Sequence, residues 1–505
     1  MPRNPTTANG SLCLIVISHI LQYHIKKSFR ILCISSIFEQ CILQINRLKF
    51  YSNNMNIQKS NLLIPFLVNK YQLKLILFFI ILSSLFCYYE ISATDEIDEN
   101  KLSFNSSSRN SIDSILISDF NFSNVTNITN NNLDSVYAQI SAIDSTVYLV
   151  WQESVNDKLN KNNYDIYFKK SENNGNTFSK PINLSNNTGF SEHPQIAVTK
   201  NGIFVVWTDN TGFNNTEIMF SKSEDNGVTF SKAINLSNDS KNSNNVEVSA
   251  FNENVYLVWQ DIDYDQNNDK NSSIMFKSSF DSGNTFNDSI ELATNTNDAY
   301  PKVNSYQDYI YIVWNSENND LSKDIENSGL FFIKSSDRGN TFENSIRLAH
   351  SNFGESQISV SKDEVLIIWG GLHSKNIKDI YFVKSDDNGT SFTDPYTIQV
   401  SKPENKNSSV NKITHPTNVE VANNDPSYIV WQDIISKENQ DIFIVNIKND
   451  ASTTKIANLS NNTGISECPQ IAVSNNHIYV VWEDITPGNH EILFTRGIAQ
   501  QNKLM

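Results

Sequence analysis

The sequence predicts an all-β chain: a seven-bladed β-propeller of four-stranded blades, closed by an N-terminal strand joining the C-terminal blade. Two repeated phrases carry this expectation. One ends on every tryptophan of the chain: VYLVW at Trp151, IFVVW at Trp207, VYLVW at Trp259, YIVW at Trp314, LIIW at Trp369, YIVW at Trp431 and YVVW at Trp482. Their spacing, about fifty to sixty residues, is that of a blade-forming repeat. The other, S-x-D-x-G-x-T-F, occupies 171–178, 223–230, 279–286, 335–342 and 385–392, between successive tryptophans.

Taken from the N-terminus, residues 1–54 bear no relation to the repeats, and Met55 offers a second start. We read 1–54 as foreign to the natural product or disordered, a reading that detection of peptide 4–26 in native protein would overturn. Residues 55–93 read as a signal peptide or short membrane anchor. Lys70 and Lys74 precede an apolar run over 75–89, and Ile91-Ser92-Ala93 suits a signal peptidase. The run is shorter than the ~20 residues of a span, which favours secretion over anchoring. Residues 94–121 form a polar tether, 122–497 the propeller and 498–505 a tail. Four cysteines, Cys13, Cys33, Cys41 and Cys87, precede the cleavage point, leaving Cys468 without an internal partner.

Within each repeat the pattern gives an inner strand such as 194–198, the Trp strand, a third strand such as EIMFSKS, the octapeptide turn and an outer strand such as KAINLS. The Trp strands are nearly continuous apolar runs, as expected for a sheet covered on both faces. In the octapeptide the acid accepts backbone N–H groups and Gly supplies positive φ. Asp225, Asp281, Asp337 and Asp387 hold the acidic position, and Asn173 replaces it in the first copy. A sixth copy has decayed over 446–454. The last repeat stops after its third strand, while 127–130 followed by 137–141 parallels 458–461 followed by 468–472. An N-terminal strand is therefore expected to complete the last blade.

These octapeptides resemble Asp-boxes, also called BNR repeats, and residues 122–497 are similar to the sialidase-like propeller superfamily. The resemblance implies box turns on one face of the wheel and a ligand site on the other. It also implies three arginines on a substrate carboxylate, a Tyr nucleophile with a Glu partner, and an Asp acid. This chain departs from that set. Its propeller holds only Arg338 in a box, Arg347 on an outer strand and Arg496 on a third strand, and the F/Y-R-I-P phrase is missing. Lys does not replace Arg in bidentate carboxylate binding, so classical sialidase activity is not expected.

Candidate site residues lie on the loop face. Two residues beyond Trp come Glu153, Asp209, Asp261, Asp433 and Asp484. They form either an acidic ring for a cation or glycan hydroxyls, or a set of loop caps repeated by duplication. Asp261, Asp263, Asp265 and Asp269 are a weak Ca²⁺ candidate without the Gly and Glu of an EF-hand, and a solvated acidic loop is the simpler account. His193, Tyr300 and His415, each before a Pro that opens an inner strand, surround the channel mouth. The tryptophans themselves read as core. Specificity is expected in the loops after Trp314 and over 400–415, which exceed what a blade needs.

Net charge is −16 with no basic stripe, which argues against nucleic acid. No zinc-spaced Cys/His cluster, P-loop, G-x-S-x-G or dinucleotide fingerprint occurs, so no cofactor is expected beyond that weak Ca²⁺ site. Some fifteen N-x-S/T sequons follow residue 100, by glycosylation or by compositional bias. The expectation is an exported, surface-tethered or secreted monomer that binds a glycan or cell-envelope protein; the alternative is a glycoside hydrolase using two loop-face carboxylates.

Overall fold

The computed structural model describes residues 121–498 except 156–162, 213–214, 265–269, 295–299, 317–328, 351–352, 363, 375–376, 399–415, 423–426, 437 and 448–455. The leader and tether, Asp265, Asp269, His415, both long loops and most of the decayed sixth octapeptide lie outside the described residues. Among the described residues no helix is long and apolar enough to cross a membrane.

Seven antiparallel sheets follow one another along the chain, as expected. Blade 1 consists of Ser135–Ile143, Thr146–Ser154, Tyr164–Ser171 and Ile182–Asn183, from the axis outward. The Trp strands of blades 2 to 7 are Gly202–Asp209, Asn254–Tyr264, Tyr309–Ser316, Val365–Ser374, Ser427–Ser436 and His477–Asp484. Successive residues of these strands point to opposite faces, yet Val147, Tyr148, Leu149, Val150 and Trp151 are all buried. Seven apolar clusters explain this, each joining two consecutive blades. Phe204, Val206 and Phe220 of blade 2, for example, pack on Val255, Leu257 and Trp259 of blade 3.

The ring closes through the same kind of interface. Tyr479, Val481, Ile492 and Phe494 of blade 7 meet Val147, Leu149 and Trp151 of blade 1, with Ile128 between them. Blade 7 has Ser466–Ser474, His477–Asp484 and Glu491–Ile498 from the C-terminal end, and its outer edge comes from Asn121–Phe122 and Thr126–Asn127. Phe122 pairs with Gly497, and Asn127 with Leu493. Both ends of the described propeller therefore share one sheet, so the propeller cannot open without breaking strand pairing.

The octapeptide turns have the chemistry expected of them. In blade 3, Asp281 Oδ1 accepts Thr285 N (2.8 Å), Asn284 N (3.0 Å) and Ser279 Oγ (2.8 Å), while Oδ2 accepts Thr285 Oγ1 (2.6 Å). These bonds pull the Asp281 carboxyl down to about 2. Each turn also locks two blades together, which the sequence did not reveal. Gly283 (φ 70°) lies so close to Phe220 of blade 2 that a Cβ would sit 2.5 Å from its ring. Phe286 meets the same ring edge-on, with centroids 5.0 Å apart. Phe178, Phe230, Phe342 and Phe392 repeat this contact around the wheel.

One local expectation needs correction. Pro194 does not begin its inner strand, which runs Ser191–Thr199 and carries a bulge between Glu192 and Gln195. A bulge leaves one residue out of the ladder, so Pro194 lacks no N–H that pairing requires. Its neighbour His193 has φ 53°, and this turns the side chain out of the strand's alternation.

Candidate functional site at the mouth of the axial channel

The carboxylates two residues beyond Trp face into their blades. Asp209, 2% exposed, accepts Trp207 Nε1 (3.0 Å), Ser191 Oγ (2.8 Å), Asn187 Nδ2 (2.8 Å) and Thr211 N (2.7 Å). Asp484 repeats the set with Trp482, Ser466, Asn462 and Thr486, and Glu153 accepts Trp151, Ser135 and Asn131. Asp261 accepts Trp259 Nε1 (2.6 Å) and Ser243 Oγ (2.7 Å), and its carboxyl is pushed up to about 6, chiefly by burial. Asp433 is buried too, but Trp431 Nε1 has no hydrogen-bond partner there. This arrangement is a clasp between indole, inner strand and incoming loop, and at Asp209 and Asp484 it uses both oxygens that a ligand would need. Asp263 is exposed at the loop end of its strand, and its Oδ1 accepts Tyr264 N.

A second set of acids, at the start of the third strand, went unnoticed in the sequence. Asp165 pairs across from Glu153 and accepts Asn183 Nδ2 (2.7 Å) and Ser185 Oγ (2.8 Å). Asp441 does the same with Asn458 and Ser460. Glu491 accepts Asn131 N (2.9 Å) and Thr129 Oγ1 in the N-terminal segment. The signal was present in the recurring N-L-S-N phrase, whose polar residues each acid collects.

The inner-strand bulges bring a further, more varied set of side chains together. Tyr137, His193, Asn245, Asn418 and Cys468 occupy the bulge position with φ between 48° and 53°. The register places Tyr300 and Glu355 at the equivalent position in blades 4 and 5, two residues before Lys302 and Gln357. Of the expected mouth residues, His193 and Tyr300 are therefore in this ring, and His415 lies outside the described residues. The sequence did not single out Tyr137, Asn245, Glu355 or Asn418.

Polar side chains of the residue after Trp hold the bulges across blade boundaries. Gln152 Oε1 accepts His193 N, Gln432 Oε1 accepts Cys468 N and Glu483 Oε1 accepts Tyr137 N, each at 2.7 Å. Glu483 thus takes Gln's place at the seam where the ring closes. Burial pushes its carboxyl up to about 7, against the pull of the Tyr137 N–H. Tyr137 remains 44% exposed and Tyr300 42% exposed, and the Tyr137 ring meets His193 edge-on at 4.5 Å. Burial lowers the His193 imidazole and raises the Tyr137 phenol, with Cys468, Glu483, Glu192 and Glu355 adding to the latter.

One layer below runs a belt of long polar side chains. Glu247 forms an ion pair with Lys302 and accepts Gln195 Nε2 (3.1 Å). Glu420 Oε1 accepts Gln357 Nε2 (2.7 Å) and Gln470 Nε2 (3.0 Å), and burial pushes its carboxyl up to about 8 although Lys302 draws it down. The three propeller arginines lie elsewhere. Arg496 donates to Asn174 O and Asn176 Oδ1 on the octapeptide face, Arg338 is in a turn of that face, and Arg347 is exposed on an outer strand. No arginine clamp for a carboxylate forms among the described residues.

No family model matches the chain, and no curated protein matches it either. Among solved structures, a Dyadobacter fermentans protein of unknown function aligns over 76% of this chain and all of its own, with TM-score 0.45 and 11% identity. Phage phi92 endosialidase aligns over 77% of this chain and 70% of its own, with TM-score 0.44 and 12% identity. Trypanosoma rangeli sialidase covers 72% of this chain with TM-score 0.42 and 12% identity, and this chain spans 55% of its length. Such likeness extends to the fold alone.

Proposed function

We propose that the propeller is a binding module whose mouth takes a neutral or amine-bearing glycan. The observation that carries this reading is the bulge ring: two partly exposed tyrosines stand among amides, an imidazole and carboxylates, with no arginine at hand among the described residues. Tyrosine faces stack on the apolar faces of sugar rings, and amides and carboxylates accept their hydroxyls. Glu192, Glu355, Glu467 and Glu483 disfavour an anionic sugar such as sialic acid. The apolar run over 75–89 supports display outside the cell, which fractionation of the native protein tests.

A glycan array run beside a panel of fluorogenic glycosides tests the main reading. Binding without turnover, lost in Tyr137→Ala and Tyr300→Ala, is expected; binding that survives both substitutions overturns it. A hydrolase is the second reading, favoured by one pair. Ligand atoms of Glu467 and Glu483 lie within 4.8 Å, near the ~5 Å of retaining glycosidases. Glu483 is, however, 4% exposed and holds Tyr137 N. Turnover abolished by Glu483→Gln would favour this second reading.

A further inference from the structure

We propose that Glu467, Glu483 and His490 form a binding site for one divalent first-row transition ion of the zinc type, set in blade 7 beside the seam where the propeller closes. Among the described residues this is the group of His, Cys, Asp and Glu side chains that gathers three ligand atoms within 4.8 Å of one another. Glu467 and Glu483 are directly paired neighbours on the inner and Trp strands of blade 7. His490 stands at the end of the loop that leads into the third strand.

The geometry points to an ion rather than to a web of hydrogen bonds. Glu483 Oε2 and His490 Nδ1 are 3.9 Å apart, too far for a hydrogen bond. An ion about 2.1 Å from each would span that gap at an open ligand–metal–ligand angle. His490 Nδ1 is itself buried and has no hydrogen-bond partner, although its ring is 38% exposed. A buried ring nitrogen left unpaired costs about 1–3 kcal/mol, so its direction toward two carboxylates calls for an explanation.

The donors are also held in place, as a metal site requires. Glu483 Oε1 accepts Tyr137 N, the Cys468 thiol also bonds this carboxylate, and Oε2 faces the imidazole. The His490 backbone is pinned to the first segment of blade 1: its N donates to Asp134 Oδ1 (3.1 Å), and its O accepts Ser135 N (2.8 Å). Asn489 Nδ2 donates to Leu133 O (2.6 Å) beside it. An ion held by these three side chains would therefore brace the part of blade 7 that holds the first segment of blade 1, and its remaining coordination positions would be left to water or ligand oxygens. One imidazole with two carboxylates suits Zn²⁺, Mn²⁺ or Co²⁺ and does not suit Ca²⁺, which takes oxygen alone.

Titration of the full chain with Zn²⁺ alone tests this by calorimetry and by the unfolding midpoint. No glycan is involved, so the outcome is separate from that of the array. We expect one Zn²⁺ bound per chain at this site, a raised midpoint, and affinity weakened at least about tenfold in His490→Ala and in Glu467→Gln. His477→Ala, remote from the cluster, should bind like the unaltered chain. A flat titration overturns the inference, and so does undiminished affinity in either cluster variant. Should His490→Ala fail to fold, as judged by its metal-free midpoint, the isosteric Glu467→Gln carries the test.

Discussion

Replacing Asp209 by Ala separates a structural clasp from a ligand-binding ring. Four donors lose their acceptor: Trp207 Nε1, Ser191 Oγ, Asn187 Nδ2 and Thr211 N. Asn187 and Thr211 are partly exposed, so water can take the carboxylate's place there. Trp207 and Ser191 are 1% and 0% exposed, so their donors stay stranded in the blade. At about 1–3 kcal/mol for each buried unsatisfied group, the expected loss is about 4 kcal/mol. A propeller of about 375 residues gains on the order of 0.8 kcal/mol per kelvin of unfolding entropy, so the midpoint should fall by about 5 °C. Calorimetry or fluorescence of the seven buried indoles follows this directly. Asn187→Ala, which strands nothing buried, should cost about 1 kcal/mol. An Asp209→Ala protein with an unchanged midpoint and lost glycan binding would refute the reasoning, because the carboxylate would then be serving a ligand.

Three further outcomes are expected. Trp259→Ala, at a site 1% exposed between blades 2 and 3, should cost about 3–5 kcal/mol by thermal unfolding; an unaltered midpoint would mean that the indole is not core. Glu420 has a folded value of about 8 against 4.5 in the unfolded chain, so the folded state binds more protons between those limits and stability declines as pH rises through that window. With Lys302, Glu247, Glu355, Gln357 and Gln470 around it, Glu420→Gln should flatten the fall in urea midpoint from mildly acid to mildly alkaline pH, and an unchanged slope contradicts the assignment. Deleting residues through 130 removes the outer edge of blade 7 and uncovers Ile492 and Phe494, so cooperative unfolding should be lost or its midpoint should drop sharply. A truncated chain with the full-length urea midpoint would show that closure adds nothing.

The wheel was legible in the sequence because its structural duties recur in every blade. Trp at the end of an apolar run, Ser and Asp at fixed offsets in the octapeptide, and the parallel between 127–130 and 458–461 each repeat a letter at a constant place. The clasp at Asp209 and Asp484 was visible as a pattern, but its direction was not. Residues i and i+2 of a strand share a face, and the sequence does not say whether that face meets a neighbouring indole or the solvent. Pro194 misled for a related reason, since proline suits both a strand's first residue and a bulge.

The channel mouth was harder to read because it breaks the repetition. At one backbone position, the seven blades offer Tyr137, His193, Asn245, Tyr300, Glu355, Asn418 and Cys468, side chains with no one chemistry common to all. The bulge holds each of them out of the ladder, so none is chosen for strand pairing or for filling the inter-blade core. Seven copies of one blade can be compared with each other as relatives would be. Positions where they agree carry the fold, and a position near the axis where five residue types stand among seven blades is free to serve a ligand. The seam adds one more divergence, Glu483 where Gln152, Gln260 and Gln432 stand in other blades, and this change places an ionisable oxygen beside His490. Structural duty at that position is met equally well by an amide, as Gln152 and Gln432 demonstrate with the same 2.7 Å bond. A carboxylate there adds an ionisable group that the bond to Tyr137 N does not require.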